Sequence, residues 1–146
     1  MGKKIMSCEL CSSRHPREIW RDAMFYVIDA ADADLPGFVR VIATRHVKEM
    51  ADLTAAEKSR LFRILECIEK IMLEELAPDK VNWASLGNMV PHVHWHIIAR
   101  WSDDAFFPGS VWSERLRVMP SDKYAERRRK AQDMLARLVR ELEKLD

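Results

Sequence analysis

Three of the five histidines in this chain of 146 residues stand at alternate positions, at His92, His94 and His96. Alternate residues of a β-strand share one face, so a strand over this run would project the three imidazoles together. The residues between them are large and apolar and would face the core. Histidines can also occupy a solvated strand face without any role. This alternation instead favours a chemical face, because imidazole acts as ligand, nucleophile and proton carrier near neutral pH.

The spacing of the three histidines predicts that they have different tasks. Each step of two residues advances about 6.6 Å along a strand, so the outer imidazoles begin about 13 Å apart. One metal ion can hardly be bound by both. We therefore disfavour a metal enzyme that uses the whole triplet as ligands, although two neighbouring histidines could share an ion.

Two cysteines near the start of the chain, Cys8 and Cys11, have a spacing at which two thiolates can bind one tetrahedral zinc ion. The alternatives are a redox pair and two unpaired reduced thiols. A redox pair usually opens a helix after a strand, and no strand pattern precedes Cys8. A zinc site needs two further ligands, for which the candidates are His15, His46 and the triplet.

The composition is that of one globular domain. Hydrophobic residues make up 48% of the chain, and 24 lysines and arginines almost balance 23 aspartates and glutamates. This balance gives no general attraction to nucleic acid or to an anionic membrane, and we expect neither partner. The apolar runs are far shorter than the roughly 20 residues that span a bilayer. The polar segment 1–14 lacks the apolar stretch of a secretory signal, and the odd cysteine count favours a reducing cytoplasm.

The hydrophobic pattern predicts an α+β fold in which an antiparallel sheet packs against a long helix. Strands are predicted at Trp20–Asp29, Phe38–Ile42, Val81–Leu86 and His92–Trp101. Thr54 and Glu57 form a capping box that begins the helix, and Pro78 ends it near Ala77. The apolar stripe of this helix has helical spacing and comprises Leu61, Ile64, Leu65, Ile68, Ile71, Met72 and Leu76.

A second helix is predicted over residues 121–146 of the single domain 1–146. Its narrow apolar seam should pack on the protein's own body or on a second chain, because an isolated helix of this length is marginal in water. The seam comprises Ala131, Leu135, Leu138, Leu142 and Leu145. The segment 103–120 before this helix is irregular and rich in aromatic residues, which is typical of a segment that covers a site or a partner surface.

The run His92–Ile98 reads His-φ-His-φ-His-φ-φ, with φ apolar, and resembles the signature of the histidine triad (HIT) family of nucleotidyl hydrolases and transferases. Pro36–His46 resembles the second strand of that family with its terminal histidine. Cys8 and Cys11 resemble the zinc-binding pair of one branch. The resemblance covers residues 8–112, and the overall pattern is similar to bacterial members described as diadenosine tetraphosphate hydrolase-like.

The resemblance implies a structural zinc ion held by Cys8, Cys11, His46 and His92. It also implies a homodimer, and an enzyme that cleaves a phosphoanhydride or phosphoramidate at the α-phosphate of a nucleotide. Diadenosine tetraphosphate and nucleoside phosphoramidates are the substrates to be expected.

His94 is the nucleophile that this chemistry requires, because an imidazole with one nitrogen bonded to a carbonyl keeps a free lone pair on the other. His96 and Asn88 would donate hydrogen bonds to the phosphate oxygens. We expect two apolar side chains to flank the base and one carboxylate to bind the ribose hydroxyls: Phe25, Val27 and Asp29.

At two positions the sequence departs from the family pattern, and these departures leave the identity of the preferred leaving group undecided. Phe38 stands where many members have histidine, and Asn88 stands where many have glutamine. Both positions are expected near the phosphate. The alternative to an enzyme is therefore a module that binds a nucleotide and zinc with little or no turnover.

Overall fold

The computed structural model describes residues 8–11 and 14–146. The expectation for the N-terminal segment concerns mainly residues 1–7, which lie outside this range. Neither helix in the described part of the chain is long and apolar enough to cross a membrane.

Five strands form one sheet, in which every neighbouring pair is antiparallel and the spatial order is β1-β2-β3-β5-β4. The strands are β1 Glu18–Arg21, β2 Phe25–Asp29, β3 Val39–Ala43, β4 Lys80–Ala84 and β5 His94–Arg100. Two helices accompany them, α1 Ala55–Leu76 and α2 Ser121–Glu143. The predicted α+β class, with an antiparallel sheet and a long helix, is confirmed.

Helix α1 begins and ends where the sequence predicts. The Thr54 hydroxyl accepts a hydrogen bond from the Glu57 amide at 3.1 Å, and the Glu57 carboxylate accepts one from the Thr54 amide at 2.8 Å. The helix ends at Leu76, and its C-cap residue Ala77 adopts the left-handed conformation just before Pro78. All seven residues of the predicted apolar stripe are buried, and each contributes roughly 1.5–3 kcal/mol of hydrophobic stabilisation.

The predicted single strand Trp20–Asp29 is two strands, β1 and β2, joined by a tight turn. The Asp22 carboxylate accepts hydrogen bonds from the amides of Met24 and Phe25, both at 2.8 Å. These bonds compete with strand pairing and reverse the chain, as aspartate commonly does in turns.

The predicted strand His92–Trp101 begins two residues later, at His94. The His92 amide donates to the Val90 carbonyl at 2.8 Å, and the Val93 amide donates to the Val47 carbonyl at 2.8 Å. His92 therefore lies in a turn before the strand. The strict alternation of the three histidines on one strand face holds only for His94 and His96.

The two faces of the sheet have different environments. One face, with Phe25, Val27, Val41 and Ile97, joins the buried stripe of α1 in the main hydrophobic core. The opposite face carries Tyr26, Ile28, Ile42 and Ile98 in two smaller clusters. We call this second surface the open face, because no residue of α1 or α2 belongs to its two clusters. His94 and His96 pair with Ile42 and Arg40 across β3 and β5 and lie on the open face.

Helix α2 packs on the protein's own body, against α1 and β1. Within its predicted seam Ala131, Leu138 and Leu142 are buried, and Met134 is buried beside them. Gly37 (φ +83°) allows the Leu76 side chain of α1 to pack closely against the backbone, because a Cβ at position 37 would lie 2.7 Å from Leu76 Cδ1.

Candidate functional site

Four side chains converge at the end of the sheet where β3 stops: Cys8, Cys11, His46 and His92. Their ligand atoms all lie within 4.8 Å of one another. Cys11 Sγ lies 2.9 Å from His46 Nδ1 and 3.5 Å from His92 Nδ1. Cys8 Sγ lies 3.6 Å from His92 Nδ1, and the two Nδ1 atoms are 3.1 Å apart. The edges of a tetrahedral site with two sulfur and two nitrogen ligands are roughly 3.3–3.8 Å, so this cluster could hold one metal ion.

The two cysteines reach the cluster on a short helical turn, Glu9–Cys11. The Tyr26 hydroxyl anchors this turn by donating to the Leu10 carbonyl at 2.7 Å. Burial, together with a hydrogen bond to Cys8, raises the pKa of Cys11 to about 11. A thiolate at Cys11 is therefore unfavourable unless a cation lies beside it, which is what a metal ion supplies.

His92 is completely buried, and a backbone carbonyl determines which of its nitrogens is free. Its Nε2 lies 2.6 Å from the Ala43 carbonyl oxygen. A carbonyl only accepts, so Nε2 carries the proton and Nδ1 presents its lone pair to the cysteines and His46. Burial also lowers the pKa of His92, and this favours the neutral form that a metal ligand needs.

His94 uses its nitrogens in the opposite way. Its Nδ1 lies 2.6 Å from the carbonyl oxygen of His92. Nδ1 must therefore carry the proton, and the lone pair resides on Nε2. His94 is half-buried and lines an adjoining cavity, so this lone pair is available to a bound electrophile.

His96 lies beside His94, with ring centroids 5.1 Å apart. Arg40 donates its Nε–H to His96 Nδ1 at 3.2 Å. Burial, with the charges of His94 and Arg40 contributing, lowers the pKa of His96 to about 4. At neutral pH the ring is uncharged and accepts at Nδ1, so its Nε2 carries the proton and is a hydrogen-bond donor.

A cavity of about 360 Å³ lies over the two catalytic candidates on the open face. Its floor is formed by His94 and His96, and its walls are the loop Leu86–Val90 and the indole of Trp112. Asn88 is part of this loop, as predicted for a phosphate-binding residue. Gly87 has φ +81°, a conformation that favours glycine and turns the loop back toward the histidines.

Trp112 is held over His96 by a buried ion pair at the end of β5. The two ring centroids are 4.9 Å apart in an edge-on arrangement. Arg100 and Asp104 are buried and joined at 2.9 Å. Arg100 also donates to the Gly109 carbonyl at 2.8 Å. Each charge is thereby satisfied, and the aromatic loop is fixed against the sheet.

Comparison with known proteins agrees with this geometry. Residues 16–103 match the model of the HIT domain family, including His46 and the whole histidine run. The chain belongs to the HIT family. This result confirms the resemblance seen in the sequence.

Two solved structures show how far the HIT likeness extends. A histidine triad protein from Bradyrhizobium japonicum is 27% identical, with a TM-score of 0.69, and the match covers 89% of this chain and 97% of that one. A zinc-bound histidine triad family protein from Mycobacterium smegmatis is 20% identical, with a TM-score of 0.59, covering 92% and 96%. The second likeness establishes the shared fold alone.

Curated relatives are longer than this HIT chain. A bis(5'-nucleosyl)-tetraphosphatase [asymmetrical] from Schizosaccharomyces pombe is 34% identical over 85 residues, which are 55% of this chain and 47% of that protein. An AP-4-A phosphorylase from Mycobacterium tuberculosis is 28% identical over 78 residues, 49% of this chain and 40% of that protein. The chain thus spans less than half the length of these relatives.

Three residues predicted to bind the nucleoside do not lie in the cavity of this HIT protein. Phe25 and Val27 are fully buried in the main core, on the face opposite His94 and His96. Asp29 points to the same side as α2, and its carboxylate accepts from the Ala31 amide at 2.8 Å in a turn. The physical reason is the strand register: side chains alternate, and it is Tyr26 and Ile28 that share the open face.

Sequence reasoning assigned no role to several residues that line the cavity, among them Leu10, Arg40 and Trp112. The sequence contained an indication for Arg40, since it is the single charged residue in an apolar strand. It also stands at alternate positions with Phe38 and Ile42, so the three side chains are expected on one face. Leu10 and Trp112 reach the site through loops, which hydrophobic periodicity does not place.

Proposed function

We propose that this HIT protein is a nucleotide hydrolase or transferase that acts at the α-phosphate of a nucleoside polyphosphate or phosphoramidate. The reaction would pass through a nucleotide bound covalently to His94. The observation that carries the proposal is the 2.6 Å contact between His94 Nδ1 and the His92 carbonyl. It leaves the Nε2 lone pair facing the cavity, as a nucleophilic imidazole requires.

The reaction has two displacements at phosphorus. His94 Nε2 attacks the α-phosphorus, the bond from phosphorus to the leaving group breaks, and the leaving group departs with the electron pair. His96 Nε2–H and the Asn88 amide donate to phosphate oxygens and stabilise the charge that develops there. Water, or another acceptor such as inorganic phosphate, then attacks the same phosphorus and restores His94.

The names of the relatives support this class of substrate. The tetraphosphatase and the phosphorylase both act, by their names, on dinucleoside polyphosphates. They differ in the acceptor, which is water for a hydrolase and phosphate for a phosphorylase. The cavity is large enough for a nucleotide, and its walls are mainly apolar with a few polar groups, as is usual for such sites.

We further propose that the metal of the cluster is zinc, in a structural role. Two sulfur and two imidazole donors are the set that zinc prefers, and four protein ligands leave no position for a reactive water. The zinc-bound relative shares the fold of this chain. Bound zinc would cross-link the N-terminal turn to the end of β3 and to His92, and the chemistry itself would remain with the histidines.

A homodimer is the proposed assembly, and β4 offers a surface for it. This strand is an edge of the sheet, and in the described part of the chain the buried Trp83 indole N–H has no hydrogen-bond partner. Phe62 is 41% exposed beside Trp83 and Trp95. Light scattering measures the assembly directly.

We propose a reducing cytoplasm as the compartment, which the three cysteines support, because none of them forms a disulfide in the described residues.

The decisive experiment combines product analysis with trapping. Zinc-replete protein is incubated with dinucleoside polyphosphates and adenosine phosphoramidate, and the products are separated by chromatography. A substrate labelled at the α-phosphorus should leave acid-labile label on the protein after rapid denaturation. Tight nucleotide binding with neither products nor label would reject the enzyme and support the binding module.

A further inference from the structure

Arg40 is a cation in the active-site cavity that the reaction steps above do not use. It lies on β3 directly opposite His96 of β5, on the open face. Its Nε–H donates to His96 Nδ1, and Arg40 is one of the residues that line the cavity. Glu9 lines the same cavity, but within residues 8–11 and 14–146 Arg40 forms no ion pair with it or with any other carboxylate. An arginine beside a cavity with no counter-ion of its own is suited to an anionic ligand.

Phe38 holds this guanidinium in place. The centre of the Arg40 guanidinium lies 5.4 Å from the centroid of the Phe38 ring, and the same ring meets His96 edge-on at 5.8 Å. Phe38 is buried. The aromatic ring thus packs against the arginine without itself lining the cavity, which Arg40 does.

The distance from Arg40 to the reacting phosphorus follows from its partners. An electrophile in position for attack lies about 3–3.5 Å from His94 Nε2. The His94 and His96 rings are 5.1 Å apart, and Arg40 contacts the latter. A chain of phosphates extending from the α-phosphorus past His96 therefore lies within reach of the guanidinium.

We propose that Arg40 determines the leaving group of this site, by binding the anionic phosphate chain and so favouring polyphosphates over phosphoramidates. This inference rests on the proposed function. Every phosphate beyond the first adds a negative charge near Arg40, whereas the amine leaving group of a phosphoramidate adds none. Arg40 has a second effect on both substrates, because its hydrogen bond holds the His96 proton on Nε2.

Three substitutions separate the two effects. Arg40→Gln places an amide nitrogen as many bonds from the backbone as Nε, so it keeps a donor for His96 and removes the charge. Arg40→Leu removes both the donor and the charge. Arg129→Gln makes the same change in net charge on the exposed surface of α2 and is the matched control. Nitrogen NMR of the His96 ring reports the position of the proton in each variant.

The kinetic test compares kcat/KM for diadenosine tetraphosphate and for adenosine phosphoramidate. Arg40→Gln should lower the first about ten- to a hundred-fold, the usual scale for a lost charge-assisted hydrogen bond, and the second less than about threefold. Arg40→Leu should lower both and shift the His96 proton signal, and Arg129→Gln should change neither. Equal losses on both substrates in Arg40→Gln, or no loss on either, would overturn the proposal.

A binding measurement separates failure of this inference from failure of the proposed function. In the His94→Ala background, where turnover is not needed, Arg40→Gln should raise the Kd of diadenosine tetraphosphate at least about tenfold. It should leave the Kd of adenosine phosphoramidate nearly unchanged. If wild type binds both nucleotides but cleaves neither, this Kd contrast still decides the role of Arg40. An equal effect on both Kd values would reject it.

Discussion

His92 and His94 are two residues apart, and each has a ring nitrogen 2.6 Å from a backbone carbonyl, yet the two histidines use opposite nitrogens. His92 directs Nε2 to the Ala43 carbonyl, and His94 directs Nδ1 to the carbonyl of His92. The free lone pair is therefore on Nδ1 in the first and on Nε2 in the second. One belongs to the Cys/His cluster that could hold a metal ion, and the other belongs to a nucleotide-sized cavity.

The difference teaches that the position of one main-chain oxygen can assign the role of a histidine. His92 lies in the turn before β5, where its ring reaches the end of β3, and its own carbonyl is presented to the next ring of the run. The two ends of the site, a candidate metal end and a candidate catalytic end, thus share a residue: the side chain of His92 belongs to the first and its carbonyl to the second.

The strongest test of this division is His94→Ala. We expect kcat to fall by about 10⁴-fold or more, because the nucleophile is lost, and zinc content by elemental analysis to stay normal. His15→Ala, which changes a histidine outside both ends of the site, is the matched control. Hydrolysis at the wild-type rate in His94→Ala would show that another group attacks and would favour the binding module.

His96→Ala should have a smaller effect, a loss of about a hundred- to a thousand-fold in kcat, as is usual when one charge-stabilising donor is removed. The covalent intermediate should still form on His94, only more slowly. Single-turnover trapping with labelled substrate measures this directly. If the trapped label disappeared as completely as in His94→Ala, the two histidines would not have the separate roles assigned to them.

Replacing Cys8 and Cys11 together by serine tests the metal end alone. We expect loss of the metal and a Tm lower by roughly 10 °C. Activity should fall about ten- to a hundred-fold, because the His92 carbonyl that orients His94 becomes less rigid. Calorimetry and metal analysis give both readouts, with Cys67→Ser as control. A double variant that retained its metal would contradict the ligand assignment.

The smallest effect is expected from Glu57→Gln, at the start of α1. The Glu57 carboxylate accepts from Arg45 at 2.8 Å, next to His46, and from the Thr54 amide. We expect a stability loss of about 0.5 to 1 kcal/mol at neutral pH, because the glutamine amide oxygen still accepts from the Thr54 amide and only the partly exposed ion pair with Arg45 is lost.

This stability difference should depend on pH in a defined direction. Hydrogen bonds from Arg45 and Thr54 lower the pKa of Glu57 from its ordinary 4.5 to about 2. The contribution of the ionised carboxylate is therefore fully present above pH 4.5 and disappears as the pH falls toward 2. Denaturant melts of wild type and variant across this range should converge at the acidic end. A constant difference would show that the charge of Glu57 is irrelevant.

Local sequence determined much of this HIT protein. Helix α1 follows from its capping box, its apolar stripe and Pro78, since all three act within a few residues. The four predicted metal ligands come together in the structure, and the nucleophile candidate has the free lone pair that the sequence reading required. These features rest on spacing and residue chemistry, which the printed chain already contains.

Only the tertiary structure decided the rest. The turn at Asp22 shortened the predicted first strand, and the register of β2 placed Phe25 and Val27 in the core instead of beside the cavity. His92 left the strand because its amide bonds to Val90. Arg40 became a partner of His96 only through the pairing of β3 with β5. The physical reason is the same each time: hydrogen bonds between distant parts of the chain determine strand register, and register decides which face a side chain occupies.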